Sequence, residues 1–116
     1  MQGAQTLLQY MRIRWWIMTA TLTLPHRQLE AFCRRNHITK LALFGSILRE
    51  DFGPESDIDI LVEFEPGHVP GLAFFALQDE LSTILGSTVD LHTPQFLSPY
   101  FREQVQSEAQ VVYAAG

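Results

Sequence analysis

One cysteine is all that the 116 residues contain. Cys33 therefore has no partner for an intrachain disulfide, and the chain fits a reducing, cytoplasmic setting. Within its apolar run it reads as a small core residue rather than a reactive thiol. Positive charge is also scarce: eight Lys and Arg face thirteen Asp and Glu, a formal net charge of −5. That balance excludes broad affinity for a nucleic-acid backbone, so no direct nucleic-acid contact is expected. Long apolar runs are missing. The greasiest stretch, Trp15-Trp16-Ile17-Met18 behind Arg12 and Arg14, falls far short of the ~20 residues needed to cross a bilayer. It also lacks a good small-residue cleavage site for a signal peptide, and no membrane role is expected. No internal repeat is present, and no linker is long enough to separate two domains. At 47% hydrophobic residues, what remains is one folded domain with one core.

Residues 1–22 read as an N-terminal extension, either an upstream start or a partner-binding arm, and 23–116 as the folded domain. Pro25 opens a helix over about 25–36, with Leu29, Phe32 and Cys33 as its apolar stripe and Asn36 as a left-handed terminator. His37 falls in a connector. Ile38 to Phe44 is a strand, and Leu41-Ala42-Leu43-Phe44 is apolar enough to be covered on both faces. A helical turn over Ile47 to Asp51 and a breaker-rich loop, Phe52 to Ser56, come next. Asp57 to Phe64 is a second strand, with Asp57, Asp59, Leu61 and Glu63 on one face and Ile58, Ile60, Val62 and Phe64 on the other. Leu72 to Leu85 is a helix ended by Gly86, with Phe74, Leu77, Leu81, Ile84 and Leu85 on its core side. Thr88 to Thr93 is a third strand, Val89 and Leu91 pointing one way and Asp90 and His92 the other. Ser98 caps and Pro99 opens a helix to about Ala109, with Phe101 and Val105 facing in. Gln110 to Ala114 is a last strand. The expected fold is α/β (α+β): a small mixed sheet of about four strands with helices packed on it.

The acid is concentrated. Glu50, Asp51, Glu55, Asp57, Asp59, Glu63 and Glu65 lie within sixteen residues, which suggests a cation site or a basic partner. Asp57 and Asp59 share a strand face, with Cβ atoms roughly 6–7 Å apart, so their carboxylates can lean onto one cation. Carboxylates on a rigid strand suit Mg²⁺, which keeps waters and substrate phosphates as its other ligands. A third carboxylate comes from Asp90, flanked by Val89 and Leu91. Buried there it needs a partner, which a metal site supplies, and it can draw a proton from an acceptor hydroxyl. Gly45 and Ser46 supply the phosphate end: a bare backbone approaches phosphate oxygens, and a hydroxyl donates. A helical turn beginning at Ile47 adds favourable partial charge. Arg49 either faces the triphosphate or pairs with Asp51 or Glu55. Each piece alone is weak, but the order is specific: Gly-Ser ending one strand, ten residues, Asp-X-Asp opening the next, and a third aspartate about thirty residues on.

Gly45-Ser46, the ten-residue spacer, Asp57-Ile58-Asp59 and Leu61-Val62 resemble the signature of the DNA polymerase beta-like nucleotidyltransferases. The small size and the run Ser56 to Phe64 are similar to the minimal nucleotidyltransferases (MNT) of that superfamily, MntA-type antitoxins paired with HEPN toxins. Arg49, Asp51 and Ser56 also fit the family's spacer. Glu50 stands where glycine is frequent, and residues 1–22 have no counterpart. The resemblance implies transfer of a nucleoside monophosphate from an NTP, ATP here, to a hydroxyl, with two Mg²⁺. Asp57 and Asp59 would hold both ions, Asp90 the catalytic one, and Gly45 and Ser46 the triphosphate. It also implies a partner, a HEPN ribonuclease toxin, modified on a tyrosine and held in a complex. Two other functions are weighed: an antitoxin that neutralises by contact alone, and nucleotidyl transfer to a small molecule, against which the lack of a second acceptor-binding domain argues.

Overall fold

The computed structural model describes residues 24–49 and 56–115. The expected extension 1–22, with Arg12, Arg14, Trp15 and Trp16, lies outside the described residues, as do Glu50, Asp51 and the loop through Glu55.

Helix α1 spans His26–Arg35 and buries Leu29, Phe32 and Cys33, the stripe its spacing sets. Pro25 stands just ahead of it as the N-cap, and its carbonyl accepts the N–H of Leu29 at 3.0 Å. The helix does not end on a left-handed Asn36. Asn36 has φ −107° and its side-chain amide donates to the Phe32 carbonyl at 2.9 Å; His37 takes the left-handed turn, at φ 56°. The short polar side chain of Asn36 is spent closing the last helical turn, so the reversal moves one residue on.

Strand β1, Ile38–Phe44, is the middle of the molecule. It pairs antiparallel with β2, Ile58–Phe64, on one side and antiparallel with β4, Gln110–Ala114, on the other. Strand β3, Val89–His92, lies parallel to β2, giving the order β3-β2-β1-β4. The parallel pair requires a crossover, supplied by helix α2, Ala73–Leu85. Gly86 ends α2 in the left-handed region, at φ 70°, where a glycine carries no Cβ penalty. Helix α3, Pro99–Glu108, starts from Ser98, whose hydroxyl accepts the Phe101 N–H at 3.3 Å. The four-stranded mixed sheet with three packed helices is the architecture expected.

Alternation along the strands divides the core. Leu41 and Leu43 of β1, Ile58, Ile60 and Val62 of β2, and Val89 and Leu91 of β3 face α1 and the Leu77–Leu81 side of α2. Ala42 and Phe44 of β1 and Leu61 of β2 face the other way, onto Val105 of α3. Phe101, expected inside, is exposed; α3 is covered on so narrow a strip that only Val105 is fully buried. That thin second layer leaves room for polar side chains on the same sheet face.

Candidate active site

The polar residues gather where β1 ends and β2 and β3 begin. Phe44, the last residue of β1, is opposite Asp59, and Asp59 is level with Asp90 on the parallel neighbour. In-register residues on adjacent strands lie ~5 Å apart and point to the same face. The two carboxylates are therefore brought together by register alone.

The chain turns immediately after Phe44. Gly45 to Leu48 form a short 3-10 turn, earlier than the Ile47 to Asp51 turn expected. Ile47 is buried in the larger core and pins the turn to the sheet. Gly45 has φ +75°, and a Cβ there would collide with Asp59 Oδ2. The glycine thus has two physical reasons: a left-handed backbone, and close packing of that backbone against a carboxylate. Ser46 is half-buried within the turn, and its carbonyl accepts the Arg49 N–H at 2.9 Å. Arg49 is exposed at the end of the turn.

Asp57 is exposed and immediately precedes β2. It is not among the side chains that converge most tightly. Those are Asp59, Asp90 and His92, each with a ligand atom within 4.8 Å of the others. Asp57 still acts on the group electrically. Burial pushes the Asp59 carboxyl above the usual aspartate range, the His92 ring pulls it back, and the charges of Asp90 and Asp57 push it up again. This is the pattern of a carboxylate short of positive charge.

Asp90 is not buried as expected; its side chain is 51% exposed. β3 is an edge strand, and the layer on this face is too thin to cover it. Its partner is also a residue that the sequence reading placed on the same face but left out of the site. His92 Nε2 lies 3.5 Å from Asp59 Oδ1 and 3.2 Å from Asp90 Oδ2. Its position is fixed by β3, two residues from Asp90, and by an edge contact with the Phe44 ring, centroids 5.1 Å apart. The alternation Asp90, Leu91, His92 was the available signal. Glu63 stands apart, 3.6 Å from Lys40 across β1.

Two further residues were missed because they reside on another element. The outward N–H groups of edge strand β3 are taken up by α2: Ser82 Oγ accepts from Val89 at 2.9 Å and Gln78 Oε1 from Leu91 at 3.0 Å. They grip the backbone on both sides of Asp90.

The site fits a divalent cation on its own geometry. His92 Nε2 is a buried nitrogen with no properly aligned hydrogen bond, although oxygens of two carboxylates lie within 3.5 Å of it. The Gly45 backbone cradles Asp59 where a side chain would displace it. Anionic oxygen donors beside a glycine-serine turn suit a cation that carries phosphates.

Comparison with known proteins agrees. The model of the nucleotidyltransferase domain family matches residues 26–112. A Methanocaldococcus jannaschii protein assigned as a protein adenylyltransferase is 37% identical over 73 residues, 61% of this chain and 73% of the relative. The chain superposes with TM-score 0.64 and 26% identity on a chain from a toxin–antitoxin crystal structure with AMP-PNP, covering 79% of this chain and 75% of that one. It also matches, with TM-score 0.57 and 25% identity, a structure of a tri-AMPylated Shewanella oneidensis HEPN toxin in complex with an MNT antitoxin, covering 78% of this chain and 70% of that chain. Sheet register, glycine turn and family match converge on one statement: the chain belongs to the nucleotidyltransferase domain family and is a nucleotidyltransferase.

Proposed function

We propose that this chain transfers AMP from ATP to a tyrosine hydroxyl of a cognate HEPN ribonuclease toxin, and thereby acts as the antitoxin. The observation that carries the reading is the in-register pair Asp59 and Asp90 beside the Gly45-Ser46 turn. The name of the adenylyltransferase relative and the AMPylated toxin in a neighbouring structure support the choice of reaction and partner.

Asp57, Asp59 and Asp90 would hold two Mg²⁺, Asp90 with the ion nearer the acceptor. When bound, these ions polarise the α-phosphate and offset the charge of the departing pyrophosphate. The rest falls to the chain. The Gly45 backbone and Ser46 hydroxyl hold the β- and γ-phosphates, and Arg49 reaches them from the end of the turn. Asp90 is open enough for a hydroxyl presented by another protein to reach it. The acceptor oxygen attacks the α-phosphorus, its proton passes to an Asp90 oxygen, and the bond to the β-phosphate bridging oxygen breaks. The products are an AMP ester and pyrophosphate. Among the described residues no helix is long and apolar enough to cross a membrane. The proposed setting is the cytoplasm, in a stable complex with the toxin.

The test is incubation with labelled ATP, Mg²⁺ and the HEPN protein encoded beside this chain. Label is expected on the toxin, and Asp57→Asn/Asp59→Asn is expected to abolish both labelling and neutralisation. A double variant that still neutralises, with no label transferred by the parent, would establish an antitoxin acting by contact.

A further inference from the structure

The functional reading uses oxygen donors alone, yet the most tightly gathered ligand atoms at the site include a nitrogen. We infer that His92 Nε2 is itself a ligand of the metal site, and that this chain's site prefers transition-metal ions that accept imidazole, Mn²⁺ among them, over Mg²⁺. The inference rests on the proposed metal-dependent reading and adds to it a residue and a metal selectivity.

The geometry is specific. Ligand atoms at ~2.1–2.2 Å from one ion and at right angles to each other are ~3.0–3.1 Å apart. Nε2 lies 3.2 Å from Asp90 Oδ2, close to such an edge, and 3.5 Å from Asp59 Oδ1, a few tenths longer. Neither contact is aligned as a hydrogen bond, and the nitrogen has no solvent exposure. A ring serving only as an ion-pair partner would aim its N–H at one oxygen. Here the nitrogen stands within 3.5 Å of an oxygen from each carboxylate and is hydrogen-bonded to neither, as suits a donor to an ion the three groups share. The ring is held in that attitude by the edge contact with Phe44, and its strand by Gln78 and Ser82.

The chemistry follows from the donor set. Mg²⁺ is hard, small and reluctant to exchange water for imidazole, so a nitrogen ligand adds little to its binding. Mn²⁺ takes carboxylate and water as Mg²⁺ does, but it is larger and softer and exchanges a bound water for imidazole more readily than the reluctantly dehydrating Mg²⁺. One imidazole beside two carboxylates therefore separates two ions that an all-oxygen site treats alike. No electron is moved by this role; the ring donates a nitrogen lone pair to the ion.

The experiment is calorimetric titration of the full chain with MnCl₂ and with MgCl₂, without nucleotide or acceptor. His37→Ala/His68→Ala serves as the background, because His37, Glu65 and His68 form a second, exposed group of ligand atoms within 4.8 Å of one another. In that background His92→Gln is expected to weaken Mn²⁺ about tenfold or more, and Mg²⁺ by no more than about threefold. Equal loss for both ions would mean that His92 only shapes the site, and no loss for either would mean that it is a bystander; both overturn the inference. Should His92→Gln unfold, the parent decides: ¹¹³Cd²⁺ bound in the same background is expected to show scalar coupling to ¹⁵Nε2 of His92, and a saturated site without that coupling would overturn it. Neither readout involves AMP transfer. Selectivity without transfer would therefore reject the proposed activity alone, and transfer without selectivity the His92 assignment alone.

Discussion

Gly45 carries two constraints that add. Its φ of +75° costs a side chain ~1–2 kcal/mol, and the Cβ would also push against the Asp59 carboxylate. Gly45→Ala is expected to lower stability by at least that amount in urea melts. It should also reduce transfer at least ~100-fold, because the displaced carboxylate belongs to the proposed metal site. A variant with normal turnover would show that Asp59 need not be where it is found. Cys33 is the opposite kind of residue, fully buried in the core. Burial pushes its thiol up from the ordinary 9.0 to about 12. Between those values the unfolded chain loses a proton that the folded chain keeps, so the stability contributed by Cys33 is complete below pH 9 and is lost as pH rises toward 12. Wild type should therefore lose more stability than Cys33→Ala over that range in denaturant titrations, and the native thiol should resist a disulfide reagent at pH 8 until the protein unfolds. Both residues were legible in the sequence, Gly45 from its place after an apolar strand and Cys33 from its helical stripe. His92 was not, since alternation gave its face but not the carboxylates it would meet.

At the scale of elements, the site depends on an edge strand that a helix holds in place. β3 has four residues and a single strand neighbour. Its outward N–H groups are bonded by Gln78 and Ser82 of α2, which also blunts an edge that would otherwise be open for pairing. Gln78→Leu leaves the Leu91 N–H without its acceptor in a half-buried position, at a cost of about 1–3 kcal/mol. Hydrogen exchange at Val89 and Leu91 should quicken in Gln78→Leu/Ser82→Ala, and transfer should fall about tenfold as Asp90 loses its registration. Retained protection at both amides would mean that β2 alone secures the strand. Periodicity identified α2 and β3 separately, along with the stripe of Leu77 and Leu81. It offered no sign that two polar residues thirteen and seven positions ahead would bond the strand, because such bonds depend on how the crossover returns to the sheet. The expected burial of Asp90 failed for a related reason: β3 proved to be an edge, and strand order is not encoded in local alternation.

For the whole molecule, the match of the family model to residues 26–112 supports the proposal that 23–116 is the self-sufficient domain. Removing residues 1–22 is expected to leave the thermal midpoint within a few degrees and nucleotidyl transfer within about threefold of the full chain; unfolding of the shortened chain would assign those residues to the core. Acidic charge, one cysteine and short apolar runs bounded the class of molecule before any fold was considered. Sequence by itself determined the elements, the two faces of β2 and the glycine turn, and it singled out Asp57, Asp59 and Asp90 as candidates, because each is written in local spacing or local backbone demand. Tertiary structure alone decided that Asp59 and Asp90 stand level, that His92 meets both carboxylates, and that Gln78 and Ser82 hold the strand that carries Asp90. Those facts arise from register and crossover, in which residues tens of positions apart become neighbours only after the sheet has formed.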